Sequence, residues 1–194
     1  SGARLSGACL RVLEVPHDGC SQQSEAEAEA IAAACRELLD GGAAVVAPAP
    51  AADGAQRRPG SVGDATADTG RRRPATAVRP LTPADILVVA PYNLAVRCIA
   101  ERVPAGVQVG TVDRFQGREA PIVFFAMTCS TGHDVPRGLD FLFSRNRLNV
   151  AISRAQCLAV LVLSPALLDA DCRTLEAMAL VDGVCRFVEL AQPA

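Results

Sequence analysis

A chain of 194 residues, half of them hydrophobic, is long enough to bury one sizeable core, and its formal charge of -2 argues against nucleic-acid binding through bulk positive charge while leaving room for a local arginine stripe. All 19 basic residues are arginine, so these residues can complete neither a Walker A loop, which needs its lysine on the β- and γ-phosphates, nor a Schiff-base site. The eight cysteines are scattered without a C-x-x-C pair, and no stretch approaches the roughly 20 apolar residues of a membrane span, so the expectation is a soluble cytoplasmic protein with no membrane association and no metal site.

Residues Ala8 to Val15 place Cys9, Arg11, Leu13 and Val15 on one face and Leu10, Val12 and Glu14 on the other, which predicts a strand. Pro16 to Gln23 reads as a turn. Ser24 follows as an N-cap, with Glu27 completing a capping box and Glu25, Glu27 and Glu29 lying near the positive end of the helix dipole as a solvated first turn. Ala28, Ile31, Cys35 and Leu38 continue at helical spacing, and Gly41-Gly42 supplies the stop. From Ala47 to Pro80 there is no Leu, Ile, Phe, Met or Tyr, while Pro, Gly, Ala, Asp and Arg dominate. Such a segment cannot bury enough apolar surface to offset its ordering entropy. The expected organisation is an opening strand and helix over 1–46, a disordered insertion over 47–84 and a main body over 85–194. The arginines at 57, 58 and 71–73 read as a solvated linker in preference to a nonspecific grip on a nucleic-acid backbone.

Order resumes at Ile86 to Ala90, a continuous apolar run that fits a strand buried on both faces. Asn93 can cap a helix carrying Ala95, Ile99 and Arg102. Further strands are predicted over Val107–Val109, Ile122–Met127, Leu158–Leu163 and Arg186–Leu190, with helices from about Arg145 to Ala155 and from about Asp171 to Val181. Strands alternating with helices indicate an α/β fold with a mostly parallel sheet, in which chemistry gathers beyond the carboxyl ends of strands. Pro91-Tyr92-Asn93, Gly110 to Glu119 and Thr128 to Gly132 are all expected there.

Two polar signatures stand against these strands. In V-Q-V-G-T-V-D-R-F-Q-G-R-E-A, Gly110 and Thr111 offer a backbone amide and a hydroxyl to a phosphate oxygen, while Gln116, Gly117, Arg118 and Glu119 add a glycine for close approach and a carboxylate able to accept from ribose hydroxyls. In S-R-N-R-L-N-V-A-I-S-R-A-Q, Arg147 and Arg154 lie two helical turns apart on nearly one face, and Leu148 and Ile152 share another face that can anchor the helix. The pair reads as an anion clamp or as a surface salt-bridge ladder.

These strings resemble motif V (T-V-D-R-F-Q-G-R-E) and motif VI (R-L-N-V-A-I-S-R-A) of superfamily 1 helicases of the group that includes the nonsense-mediated-decay helicase. V-V-A-P-Y-N and the helix opening at Ser24 fit the same motor domain, and L-F-S-R-N-R-L-N-V-A-I-S-R-A preceded by V-P-R-G-L-D is similar to bacterial proteins that join a RecB-like nuclease to such a helicase. The resemblance implies a RecA-like (P-loop NTPase-type) α/β domain, the second of two that enclose ATP with Mg²⁺, with Mg²⁺ held mainly by the other domain. It further implies that Arg154 is an arginine finger and that Gln116, Gly117, Glu119 and Arg147 face the nucleotide. Gly110, Thr111 and Val112 would touch single-stranded DNA or RNA. Where the family carries a second basic residue after the motif VI alanine, this chain has Gln156. The implied partners are the first RecA-like domain and a RecB-like nuclease domain. The competing expectation is a non-catalytic module that binds nucleic acid or a partner through the same surface. Two further classes are disfavoured, a dinucleotide enzyme because no G-x-G-x-x-G occurs and a serine hydrolase because no G-x-S-x-G occurs. His133 near Cys129 reads as loop chemistry in preference to a catalytic pair.

Overall fold

The computed structural model describes residues 9–48, 76–115, 117–172 and 174–193. In chain order the elements are β1 (Cys9–Glu14), α1 (Glu25–Asp40), β2 (Ala44–Pro48), β3 (Thr76–Pro80), β4 (Ile86–Val89), α2 (Asn93–Ala100), β5 (Gln108–Gly110), β6 (Ala120–Ala126), α3 (Leu139–Leu142), α4 (Arg145–Ser153), β7 (Ala155–Leu163), α5 (Leu175–Leu190) and β8 (Gln192–Pro193). Short 3-10 turns lie at Pro83–Asp85, Val112–Phe115, Gly132–Asp134 and Pro165–Leu167.

Among the described residues six strands form one sheet in the order β5-β4-β6-β7-β1-β8, and every neighbouring pair is parallel. The apolar runs occupy its centre: β4 is buried along its whole length, as are the last six residues of β7, and only Pro121 of β6 is partly open. Central parallel strands are covered on both faces, so they read as unbroken hydrophobic runs with no alternation. Val123 and Phe125 of β6 and Ala159 and Leu161 of β7 meet Leu148 and Ile152 of α4 and Phe187 of α5, around a residual space of only about 10 Å³. The two apolar positions read as anchors of α4 do anchor it. On α1, Ala28, Ile31, Cys35 and Leu38 are buried, and the Ser24 side chain caps the helix by accepting from the Glu27 amide.

Three expectations are revised. The residues Arg186 to Leu190 are the end of α5, not a strand, because Val181, Val184 and Phe187 are buried at helical spacing and Thr174, accepting from the Ala177 amide, starts the helix later than Asp171. The helix carrying Arg147 ends at Ser153, which leaves Arg154 beyond it. Parts of the insertion expected to be disordered over 47–84 are ordered: residues 47–48 and 76–80 belong to an antiparallel ladder between Ala44–Pro48 and Thr76–Pro80, within a compact unit separate from the main body. Residues 49–75 of that insertion lie outside the described residues.

Candidate functional site at the two edges of the sheet

The register of the parallel sheet separates the proposed site residues. Pro91, Tyr92 and Asn93 follow β4 and Thr111 follows β5, so they stand at the carboxyl edge. Glu119 immediately precedes β6 and Arg154 immediately precedes β7, with Ala120 paired to Ala155 across the ladder, so both stand at the amino edge. The segment from Gly110 to Glu119 therefore starts at one edge and finishes at the other. The expectation that all of it lies beyond the carboxyl ends is corrected by this crossing.

At the carboxyl edge, Gln22, Tyr92, Thr111, Asp113, Arg137 and Arg147 are among the residues lining a polar cleft of about 440 Å³. Tyr92 is nearly buried and stacks on Phe141 of α3, with ring centroids 5.5 Å apart and planes at 26°. The guanidinium of Arg147 lies 3.9 Å and that of Arg137 4.8 Å from the centroid of the Phe141 ring. Burial raises the Tyr92 phenol above its ordinary value, and the neighbouring Cys129 thiol adds to the rise. Burial pushes the Cys129 thiol up to about 11, so it is a neutral packing group and no nucleophile. His133 faces Asp171 at 3.5 Å on the surface.

Gly110 serves the turn that follows it. A Cβ there would stand 2.8 Å from Cδ of Arg114 and 2.9 Å from the Phe115 ring. Gly117 is required for another reason, its left-handed φ of 83°, since open space surrounds it. Val112 is buried, which leaves only its backbone for a ligand, and Gln116 lies outside the described residues.

At the amino edge, the Ala120 amide donates to the Arg154 carbonyl at 2.9 Å, which ties the residue after Glu119 to Arg154 itself. The exposed Glu119 carboxylate accepts from Gln156 at 3.3 Å. Among the described residues the buried Nε of Arg154 has no hydrogen-bond partner. A buried guanidinium N–H without an acceptor is costly, and an anionic oxygen would satisfy it. Arg147 does not join this pair. It sits near the start of α4, about 10 Å of helix rise from Arg154, with its guanidinium carbon over the Phe141 ring.

Sequence reasoning missed a buried polar network. His17 and Glu27, with side chains 5% and 0% exposed, meet through Nε2 and Oε1 at 3.0 Å. Nε2 donates to the carboxylate, Nδ1 lies 2.8 Å from the Ser130 hydroxyl, and Ser130 Oγ also accepts from the Cys20 amide at 2.8 Å. Both oxygens of Glu27 accept from the Thr128 amide, at 2.9 and 3.1 Å. Thr128 adopts φ of 66°, a left-handed conformation costly for a β-branched residue, and its hydroxyl is buried without a partner among the described residues. Desolvation raises the Glu27 carboxyl above its ordinary value, opposed by the hydrogen bonds from His17 and Thr128. Glu27 is thus no member of a solvated first turn. The available signal was its position: Glu27, Ile31, Cys35 and Leu38 fall on one helical stripe, and the other three are core residues.

The chain matches a family described as AAA domain over residues 70–165, just under half of its length. It is 38% identical over 84 residues to an uncharacterized ATP-dependent helicase of Caenorhabditis elegans, covering 43% of this chain and 5% of that protein. It is 42% identical over 73 residues to the DNA polymerase alpha-associated DNA helicase A of Schizosaccharomyces pombe, covering 36% and 11%, and 38% identical over 78 residues to the DNA replication ATP-dependent helicase/nuclease of Bos taurus, covering 38% and 7%. The chain therefore spans between 5% and 11% of the length of these relatives. With the parallel sheet flanked by helices, these similarities support a helicase-like domain of superfamily 1 with a RecA-like α/β fold. Among the described residues no helix is long and apolar enough to cross a membrane.

Proposed function

We propose that this chain is the second motor half of an ATP-dependent DNA or RNA helicase and that its amino edge closes over a nucleotide held by a first RecA-like domain. The observation that carries the reading is Arg154, whose buried Nε lacks an acceptor among the described residues, at the same sheet edge as the exposed carboxylate of Glu119. In phosphoryl transfer the protein contributes positioning and charge stabilisation, because negative charge spreads over the equatorial oxygens of the transferring group. Arg154 donates to those oxygens when the domains close. Glu119 accepts from a ribose hydroxyl, and the turn at Gly117 lets the backbone approach the phosphate side. Gln156, which donates to Glu119, orients that carboxylate, at the position where the motif VI resemblance implies a second basic residue.

The residues present fit the anionic and ribose portions of ATP and leave the metal to the partner. Mg²⁺ and water activation are assigned to the first domain, as the helicase resemblance implies. Thr111 and the backbone around Gly110 and Val112 line the route of a single strand at the carboxyl edge, and a RecB-like nuclease domain belongs to the same assembly. The carboxyl-edge cleft also favours a second reading, a module that holds nucleic acid without hydrolysis, because the cleft is complete without Arg154.

In a protein that combines this chain with a first motor domain, Arg154→Ala lowers kcat by about a thousand- to a hundred-thousand-fold while leaving ATP affinity near the parent value. Retained turnover overturns the arginine-finger role. Turnover lost only in proportion to ATP binding assigns Arg154 to ground-state binding instead.

A further inference from the structure

We propose that a buried polar latch joins the loop after β1 to the loop after β6, with Thr128 as its strained joint, and that the latch opens without unfolding the sheet and loosens both sides of the carboxyl-edge cleft. The device goes beyond the helicase reading and does not depend on it.

Polar groups make the connection between the two loops. Glu27, in the first turn of α1, accepts from the Thr128 amide on both carboxylate oxygens, at 2.9 and 3.1 Å, and meets His17 Nε2 at 3.0 Å. Ser130 Oγ lies 2.8 Å from His17 Nδ1 and accepts from the Cys20 amide at 2.8 Å, while the Ser130 amide donates to the Cys20 carbonyl at 2.9 Å. Further along, the Cys129 thiol donates to the Ser21 carbonyl, and the Ser21 hydroxyl donates to the Asp134 carbonyl at 2.7 Å. These bonds share members in a place closed to water. Losing one leaves a neighbour's buried group unpaired, so the set forms and breaks together. Ser130, His17 and Glu27 have the residue types of a nucleophile, a base and a carboxylate. Ser130 and Glu27 are fully buried, however, and the His17 side chain is 5% exposed, so no substrate reaches the hydroxyl. The three side chains hold the loops together.

Thr128 supplies the drive to open. Its left-handed φ of 66° and its buried hydroxyl, without a partner among the described residues, are two costs carried by one residue. Both end when the backbone turns to the extended region and the hydroxyl meets water. A residue kept in a costly conformation by contacts from elsewhere in the chain is suited to be the joint of a two-state element.

Release reaches the cleft from both sides. Gln22 stands at the end of the first latched segment, and Pro136 and Arg137 follow the second; all three line the 440 Å³ cleft. The Cys129 thiol, fully buried, lies 4.0 Å from the hydroxyl of Tyr92 in the same cleft. Opening the latch therefore uncovers Cys129 beside Tyr92.

The test is native-state hydrogen exchange of the 194-residue chain, read amide by amide by NMR in low urea. The Cys20, Thr128 and Ser130 amides share one opening equilibrium that responds weakly to urea, whereas Val123 and Phe124 of β6 follow urea steeply because they open with the whole fold. Ser130→Ala speeds exchange of the Thr128 amide, which bonds to Glu27 and not to Ser130, by about ten- to a hundredfold. Thr128→Gly slows exchange at Cys20 and Ser130 by about fivefold, because the closed state no longer carries the strain. Alkylation of Cys129 by iodoacetamide, located by mass spectrometry, rises in Ser130→Ala by the same factor as Thr128 exchange. A Thr128 rate unchanged in Ser130→Ala makes the bonds independent and overturns the latch. A urea response at Cys20 and Thr128 as steep as that of Val123 ties the loops to global unfolding and overturns a separate opening. Exchange unchanged or faster in Thr128→Gly removes Thr128 as the joint, and equal Cys129 alkylation in the parent and Ser130→Ala severs the latch from the cleft.

Discussion

Replacing Glu27 by Ala removes the acceptor for the Thr128 amide and for His17 Nε2 in a place sealed from water. Each buried polar group left unmade costs about 1–3 kcal/mol, so the two together cost about 2–6 kcal/mol, offset in part by relief of the carboxylate's own desolvation. The left-handed backbone of Thr128, a strain of order 1–3 kcal/mol already carried by the parent, is free to relax once Glu27 is gone and offsets part of this loss. Against a total stability of about 5–15 kcal/mol for such a domain, Glu27→Ala removes a large share, whereas Glu27→Gln keeps one acceptor and loses far less. Urea denaturation followed by circular dichroism measures both variants. The pH dependence supplies a second reading. Because burial raises the carboxyl above its ordinary value, the folded state binds the proton more tightly than the unfolded state. The stability tied to Glu27 is then fully present below about pH 4.5 and is lost as pH rises through the raised native value. The difference between parent and Glu27→Gln follows that course and is flat above it. An Ala variant within about 0.5 kcal/mol of the parent, the ordinary range for surface substitutions, refutes the buried network as a structural keystone.

Thr128→Gly relieves the left-handed backbone and deletes a buried hydroxyl without a partner among the described residues, so stability rises by about 1 kcal/mol, read as a higher urea midpoint at unchanged m; a lower midpoint contradicts this. Gly110→Ala drives a Cβ into Arg114 and Phe115 and costs about 1–3 kcal/mol by the same assay, with weakened strand binding because Thr111 shifts with the turn. Phe124→Ala, at a fully buried position in the middle of β6, costs about 3–5 kcal/mol. A smaller loss there would mean that α4 or its neighbours collapse into the space.

The centre of the fold was legible because its strands are buried on both faces. Ile86–Val89 and Leu158–Leu163 can satisfy water exclusion only in the middle of a parallel sheet. The Ser24 cap was legible from local chemistry, since a serine before an alanine-rich run has few better uses. Arg186 to Leu190 misled because five residues fit both the strand and helix periods, and only the buried Val181 and Val184 upstream decide between them. The site was legible as a set of residue types and not as a place. Spacing along the chain does not reveal that Glu119 and Arg154 are brought together by the first rung of β6 and β7, nor that Arg147 turns towards Phe141. Glu27 was hidden by its neighbours: Glu25 and Glu29 are solvated, and the partners of Glu27 lie in a loop after β1 and at the end of β6, more than a hundred residues apart in sequence.

The central claim, that Arg154 recognises developing charge on a transferring phosphoryl group, is tested most directly with a transition-state mimic. If Arg154 reaches the planar anion, the combined two-domain protein is expected to trap ADP with aluminium fluoride and Mg²⁺ far more tightly than it binds ATP. Arg154→Ala is expected to lose this trapping and to keep its ATP affinity. Equal trapping by the parent and Arg154→Ala would contradict it.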